Sequence, residues 1–348
     1  MNIQTPILIS SSASFPKLPA ASPEDTGTDG QLLAAADAAA LRRYPKLRSF
    51  LVAREGQLIF ERYYNGFHAA ALNDLRSATK SFVSALVGLL LDSKQALELD
   101  APVWPYVKSK APLRPDPFWP QVTLRHLLTM TSGLYWETGS KLGEKFIHRF
   151  HRSKSWSKFI LRLPVIEESI GSFQYRSVDS HLLSVLLTEW TGQSAFELAK
   201  QRLFGPLGID NAAWSASPEG HSTGHIGLFL TSRDMLKLGL LFLQQGRWQQ
   251  SQLLPAEWVQ LSFSPHSEGY PAFGRYGFQW WCAKEDGISF TYAHGHGGQQ
   301  IYIIPDYSAV CVFTADSQVS RWKNPRQLLK QFVLPSLNSS ALEQSKPI

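Results

Sequence analysis

The chain has 348 residues, 44% of them hydrophobic and only 18% charged, so it can bury a large core and is not a disordered sequence. Its formal charge of +6 and pI near 9.2 arise from Lys and Arg scattered along the chain, the densest cluster being His148, Arg149, His151, Arg152, Lys154 and Lys158. With no nucleic-acid-reading module around it, that cluster is a solvated face and no nucleic-acid partner is expected.

No stretch has the length of a membrane span, and the N-terminal apolar run Ile7, Leu8, Ile9 is too short for a signal peptide and lacks a basic region before it. A cytoplasmic protein without a membrane partner is expected. Cys282 and Cys311 each lie in an apolar, strand-like run and read as buried free thiols rather than a disulfide.

In chain order, residues 1–30 are rich in Ser, Ala, Pro and Asp without sustained periodicity and read as a leader, mobile or lying on the surface as an arm. An Ala-rich helix is predicted over 29–43. A hairpin follows, with Phe50, Val52, Leu58, Phe60 and Tyr63 flanking the turn at Arg54, Glu55 and Gly56. A strongly apolar helix then runs from Ser77 to about Leu91. From 99 to about 217 helical runs alternate with Pro-punctuated loops: 124–130, 156–163, 181–191 and 195–203. Another helix starts at the capping residues Thr231, Ser232 and Asp234 and ends near Gly246. Strands are predicted at 276–283, 288–293, 300–304 and 309–314, then a closing helix over 325–334. Strands at both ends with helices between them imply one sheet assembled from both termini. The expected organisation is an α/β lobe from 31–95 and 226–335, a helical lobe from 96–225, and a tail at 336–348.

Ser77, Ala78, Thr79 and Lys80 lie where extended chain becomes that apolar helix. Ser and Lys three apart share a helix face, and a helix N-terminus favours developing negative charge, so hydroxyl and amine can meet as an acylating serine with its own base. The string alone is not specific, because Ser14/Lys17, Ser155/Lys158 and Ser320/Lys323 repeat it. Context removes those three: a Ser/Pro-rich leader, a basic Trp-bearing stretch and a polar turn. Only at Ser77 does burial offer to lower a Lys pKa enough to make a base.

Two further segments bear chemistry. Tyr175, Arg176, Ser177, Val178 and Asp179 precede an apolar helix, where the phenol either faces a cleft near a Lys and relays a proton or packs its ring on the lobe. His294, Gly295, His296, Gly297, Gly298 and Gln299 lead into a strand, and glycines at a sheet edge let a substrate approach the backbone. His-x-His is also a common metal pair. The chain has no companion motif at metallohydrolase spacing, His221/His225 and His148/His151 being separate, so neither a metal nor another cofactor is expected.

These three elements, in this order, resemble the serine β-lactamase and penicillin-binding-protein superfamily, in particular the esterase, DD-peptidase and class C β-lactamase-like branch that includes nylon-oligomer (6-aminohexanoate) hydrolases. Ser77-Ala-Thr-Lys80 matches its Ser-x-x-Lys motif, Tyr175-Arg-Ser177 its Tyr-x-Asn/Ser motif and His296-Gly-Gly298 its third, glycine-ended motif. Leu127-Leu-Thr-Met-Thr-Ser-Gly133-Leu134 and Pro206-Leu-Gly-Ile209 add to the match, which covers roughly residues 40–335. The resemblance implies an α+β fold, an antiparallel sheet flanked by helices with an inserted all-helical lobe. It implies Ser77 as nucleophile, Lys80 as its base, Tyr175 as proton shuttle helped by Ser177, and an oxyanion hole from the backbone N–H groups of Ser77 and Gln299.

His296 and Gly297 depart from the Lys and Thr/Ser of the third motif and remove a cation and a hydroxyl that would hold a carboxylate. An esterase or small-amide hydrolase with a small-molecule substrate is therefore expected, ahead of a DD-peptidase or weak β-lactamase, or of a non-catalytic penicillin-binding-type module. Aromatic residues in and near the loops 138–158 and 264–275 (Trp136, Phe146, Trp156, Tyr270, Phe273, Trp280, Trp281) hint at an apolar pocket. Oligomeric state is not readable from the sequence.

Overall fold

The computed structural model describes residues 3–10, 18–91 and 98–338. Ser14, Lys17 and residues 339–348 of the expected tail lie outside them. Strand β1 (Gln4–Ser10) comes first, followed by helix α1 (Gly30–Arg43), whose N-terminal N–H groups at Gln31 and Leu32 are capped by the Asp29 carboxylate. Strands β2 (Leu47–Arg54) and β3 (Gln57–Tyr63) form the predicted hairpin, tightly turned because Glu55 and Gly56 both adopt positive φ. Strand β4 (Asn73–Asp74) leads through a single 3-10 turn, Arg76–Ala78, into α2 (Thr79–Leu91), which is buried at every residue except its last.

Strands β5 (Ser132–Leu134) and β6 (Val165–Ile170) form a two-stranded ribbon with the short helices Ile147–Arg152 and Trp156–Ile160 between them. Helix α3 (Ser177–Thr191) follows, then β7 (Asn211–Ala216), β8 (Leu228–Leu230), α4 (Ser232–Leu243) and the small hairpin β9 (Arg247–Trp248) and β10 (Ser251–Gln252). The remaining strands are β11 (Ser267–Tyr270), β12 (Gly274–Tyr276), β13 (Trp281–Glu285), β14 (Ile288–Gly295), β15 (Gln299–Ile304) and β16 (Ala309–Ala315).

An eight-stranded antiparallel sheet in the order β11-β12-β13-β14-β15-β16-β2-β3 joins the two ends of the chain, β16 pairing with β2 from Ala309↔Arg54 to Ala315↔Leu47. Side chains alternate along β16: Val310 and Val312 enter the core shared with α2, α3 and α4, while Cys311 and Phe313 enter the one shared with α1 and the closing helical run. The cysteines are unpaired, Cys311 buried and Cys282 partly exposed.

Two expectations need correction. The segment read as a leader contains β1, which pairs with β7 at the edge of a second sheet, β1-β7-β8-β4. An edge strand tolerates Pro6, which has no N–H to donate, and the register shifts between Gln4 and Ile7 where it sits. The stretch expected to be all helix also carries β5, β6 and β7, whose runs of three to six residues are too short to show a period.

The elements around the cleft are tied by Gln279, in the turn between β12 and β13, which has φ of 63° and is 2% exposed. Its side-chain amide donates to Leu127 and Leu128 carbonyls and accepts from Ser180 Oγ of α3 at 2.6 Å, while its carbonyl accepts from Ser81 Oγ of α2 at 2.8 Å. Every polar group that its burial would otherwise leave unpaired is used. Close packing also explains the helix-interior Gly239 of α4: a Cβ there would lie 2.5 Å from Val310 Cγ1 and 3.0 Å from Ile301 Cγ2. We expect Gly239→Val to lower the thermal midpoint by several degrees, since overpacking costs about 1–3 kcal/mol. An unchanged midpoint would mean the helix–sheet gap relaxes freely.

Candidate active site

Ser77 lies in the 3-10 turn directly after Arg76, a residue held at φ of 48°, in the left-handed region. That conformation is fastened from both sides: Arg76 N–H donates to Asp74 Oδ1 at 3.0 Å, its guanidinium pairs with Asp74 Oδ2 at 3.1 Å, and Nε donates to the Ser317 carbonyl. Strain of this kind persists only where the surroundings impose it.

Lys80, in the first turn of α2, is 1% exposed. Its Nζ donates to Ser177 Oγ at 3.3 Å and to the His225 carbonyl at 3.2 Å, and it lies 4.9 Å from the centre of the Tyr175 ring. Burial lowers its pKa to about 7, opposed by the nearby Glu144 charge. The His225 carbonyl reaches the amine because the preceding Gly224 presses on α3, where a Cβ would fall 2.1 Å from Ser180 O.

Tyr175 and Ser177 come from the turn opening α3. Arg176 anchors it, almost fully buried, with Nε donating to the Leu134 carbonyl at 2.9 Å and Nη1 to that of Met130 at 3.0 Å. Tyr175 is 2% exposed. Burial raises its pKa, the Glu144 charge adds to the rise, and the nearby Ser77 hydroxyl opposes it. Trp281 lies parallel to its ring at 5.9 Å, with Phe273 and Tyr270 around Trp281. Trp156 belongs elsewhere, stacked on His151 in a buried cluster with His181 and His225.

Glu144 was not singled out in the sequence. It sits in the loop between β5 and β6 and turns its carboxylate onto the same turn: Oε1 accepts from Ser177 Oγ at 2.5 Å, and Oε2 accepts from Ser177 N and from Trp136 Nε1, each at 2.7 Å. Burial raises its pKa, and Lys80 and the Ser177 donors work against that rise. No motif marks it; the only sequence cue is an acidic residue in a loop crowded with aromatic and basic ones.

The end of the sheet meets the Ser77 turn through Gly295, the last residue of β14, where a Cβ would sit 2.2 Å from Leu75 O and 3.2 Å from Ala78 N. Gln299, its partner in register, is buried, with its side-chain amide bound to Ala315 O. Gly297 and Gly298 have φ of 87° and 113°, which other residues rarely adopt, and a Cβ on Gly297 would meet Asp316 O at 2.4 Å. His296 does not join the Ser77 cluster: it is exposed, Nε2 is 2.6 Å from the Val319 carbonyl, and its ring meets Trp322 edge-on. Its neighbour two positions back, His294, is the buried one, 3.1 Å from the Gln300 amide and edge-on to Phe273. Burial, then the charges of His296, Arg326 and Lys80, lowers the His294 pKa to about 3.

Of the competing serine–lysine strings, Ser155 is a helix cap, accepting from Lys158 N at 3.2 Å and donating to Glu219. Thus Ser77, Lys80, Tyr175 and Ser177 come together, Gly295 and Gln299 abut them, and Glu144 joins them.

The Beta-lactamase family model matches residues 42–331. A 6-aminohexanoate-dimer hydrolase of Paenarthrobacter ureafaciens is 24% identical over 298 residues, covering 80% of this chain and 73% of its own. A Bacillus anthracis structure provisionally named a 6-aminohexanoate-dimer hydrolase superposes with a TM-score of 0.73 at 21% identity, covering 98% of this chain and 92% of that one. The D-stereospecific amidohydrolase of a Streptomyces species gives 0.66 at 16% identity, covering 87% and 98%. Among the described residues no helix is long and apolar enough to cross a membrane. A family match spanning most of the chain, on a sheet-and-helix fold shared with these structures, makes the chain a member of the Beta-lactamase family and a serine hydrolase.

Proposed function

We propose that the enzyme cleaves uncharged esters or small amides through an acyl-enzyme on Ser77. The observation that carries this reading is the buried Lys80, bonded to Ser177 and lying 4.9 Å from the Tyr175 ring, one helical turn after Ser77. Neutral Lys80 takes the Ser77 proton, directly or through the Tyr175 phenol, as Oγ bonds to the substrate carbonyl carbon. The oxyanion accepts hydrogen bonds from the backbone N–H groups of Ser77 and Gln299. Collapse breaks the bond to the leaving group, which takes a proton from Tyr175, and Lys80 restores the phenol. Water then attacks the acyl-enzyme by the reverse proton path and frees Ser77.

The end of β14 favours neutral substrates. The family's third motif begins with a cation where this chain offers an exposed His296 turned to Val319 and a His294 kept neutral by burial. Arg76, the cation next to Ser77, is paired with Asp74. A charge-assisted bond contributes about 1.5–3 kcal/mol, so a carboxylate-bearing β-lactam forfeits roughly tenfold or more in affinity. The relatives named as a 6-aminohexanoate-dimer hydrolase and an amidohydrolase are in keeping with cleavage of an amide bond.

Two measurements test the reading. Because the neutral amine is the base, kcat/KM for p-nitrophenyl butyrate should fall as pH drops through about 7, the value to which burial lowers Lys80; Ser77→Ala should abolish turnover and Lys80→Ala should reduce it by orders of magnitude. Wild-type rates in Lys80→Ala would remove the proposed base. On one preparation, kcat/KM for p-nitrophenyl butyrate should exceed that for nitrocefin, and the opposite order would overturn the substrate class.

A further inference from the structure

The hydrogen bonds around Lys80 fix more than its position. A neutral amine has two N–H donors and one lone pair. Among the described residues the hydrogen-bond partners of Nζ are the His225 carbonyl, which only accepts, and Ser177 Oγ. A serine hydroxyl could donate to the amine as readily as accept from it, and a donating Ser177 would cover the lone pair that must receive the Ser77 proton. Glu144 removes that option: its carboxylate oxygen, 2.5 Å from Ser177 Oγ, can only accept, so the hydroxyl proton points at Glu144 and a lone pair at Lys80. The other carboxylate oxygen, taken by Ser177 N and Trp136 Nε1, prevents rotation.

We propose that Glu144 is a positioning residue for the acylation step: by holding the Ser177 proton it makes Ser177 a pure acceptor and leaves the Lys80 lone pair to Ser77. This rests on the acyl-enzyme reading above. Among the described residues the charge of Lys80 acts on His151, His225 and, on β14, His294, and that of Glu144 acts on Lys80, on the Tyr175, Tyr270 and Tyr276 phenols and on Asp179 of α3, whose carboxyl burial raises to about 7. The three histidines are kept neutral near pH 7 by burial, which takes His151 to about 4, His294 to about 3 and His225 well below its usual range. Glu144 is therefore the anion whose loss Lys80 would register.

Glu144→Gln tests the idea with almost no change of shape. The carboxamide oxygen must face Ser177 N and Trp136 Nε1, since an NH2 there would oppose two donors. The NH2 then donates to Ser177 Oγ, whose own proton is freed to turn onto Lys80. The plateau of kcat/KM for p-nitrophenyl butyrate should fall by about tenfold or more. The acid limb should move to lower pH, because a negative charge favouring the ammonium form is gone. Ser177→Thr should keep the wild-type limb and a plateau within a few-fold, and Ser177→Ala combined with Glu144→Gln should be no slower than Glu144→Gln alone, the signature of a shared path.

A wild-type plateau and limb in Glu144→Gln would overturn the proposal, as would a lowered plateau with an unmoved limb, which marks a purely structural effect. If that variant does not fold, the Ser177 pair decides: Ser177→Thr as slow as Ser177→Ala would overturn it. Inactive Ser77→Ala and Lys80→Ala beside a normal Glu144→Gln would sink this inference alone, whereas active Ser77→Ala would sink the reading beneath it.

Discussion

A primary amine withdrawn from water resists carrying charge, and the placement of Lys80 at 1% exposure is the condition on which the rest of this site depends. An exposed lysine would stay protonated at neutral pH and could not accept a proton from serine. A buried one with no partners would be a severe liability. The fold meets both demands with two acceptors, one a backbone carbonyl that cannot ionise and the other a hydroxyl disciplined by a carboxylate. The surrounding chain supplies the walls: α2 is buried on all sides, the loop before β8 is pressed down through Gly224, and the Tyr175 turn is clamped by a buried arginine.

Two backbone features set the relation of Ser77 to the sheet. Gly295 lets the end of β14 touch the Ser77 turn, and left-handed Arg76 sends the chain into α2 at the angle that turn requires. Both features exchange local conformational ease for placement, the usual pattern where a site and its scaffold make conflicting demands. The aromatic layer of Trp281, Phe273 and Tyr270 beside Tyr175 keeps water away from the phenol and so sustains the raised pKa that holds it protonated.

Much of this was legible in the sequence. Ser77, Lys80 and Tyr175 were found by the order of three short strings, and the hairpin, α2, α3 and the strands after 288 by their apolar runs, whereas the strand expected over 276–283 is broken by the Gln279 turn into β12 and β13. What escaped has physical reasons. Glu144 acts through a tertiary contact with Ser177, 33 residues away, and no local pattern encodes such a meeting. His296 was chosen over His294 because the glycines after it complete a motif, whereas β14 ends at Gly295, so His294 is held within the sheet and His296 lies past its end, a boundary that depends on strand pairing. Strand β1 hid in a segment whose composition suggests a loose arm, because pairing with β7 supplies what local propensity does not.

Gln279 carries a consequence beyond stability. One residue, through its backbone carbonyl and its side-chain amide, joins the helix bearing Lys80, the helix that opens at Ser177 and the Leu127–Leu128 segment, and all of these bonds are buried. Opening the cleft by swinging these elements apart would break several shielded hydrogen bonds at once, each leaving a polar atom stranded without water. Such a joint makes hinge closure an expensive way to select a substrate. A site whose walls are joined in this way keeps one shape, and a fixed shape tends to accept molecules of similar outline rather than one.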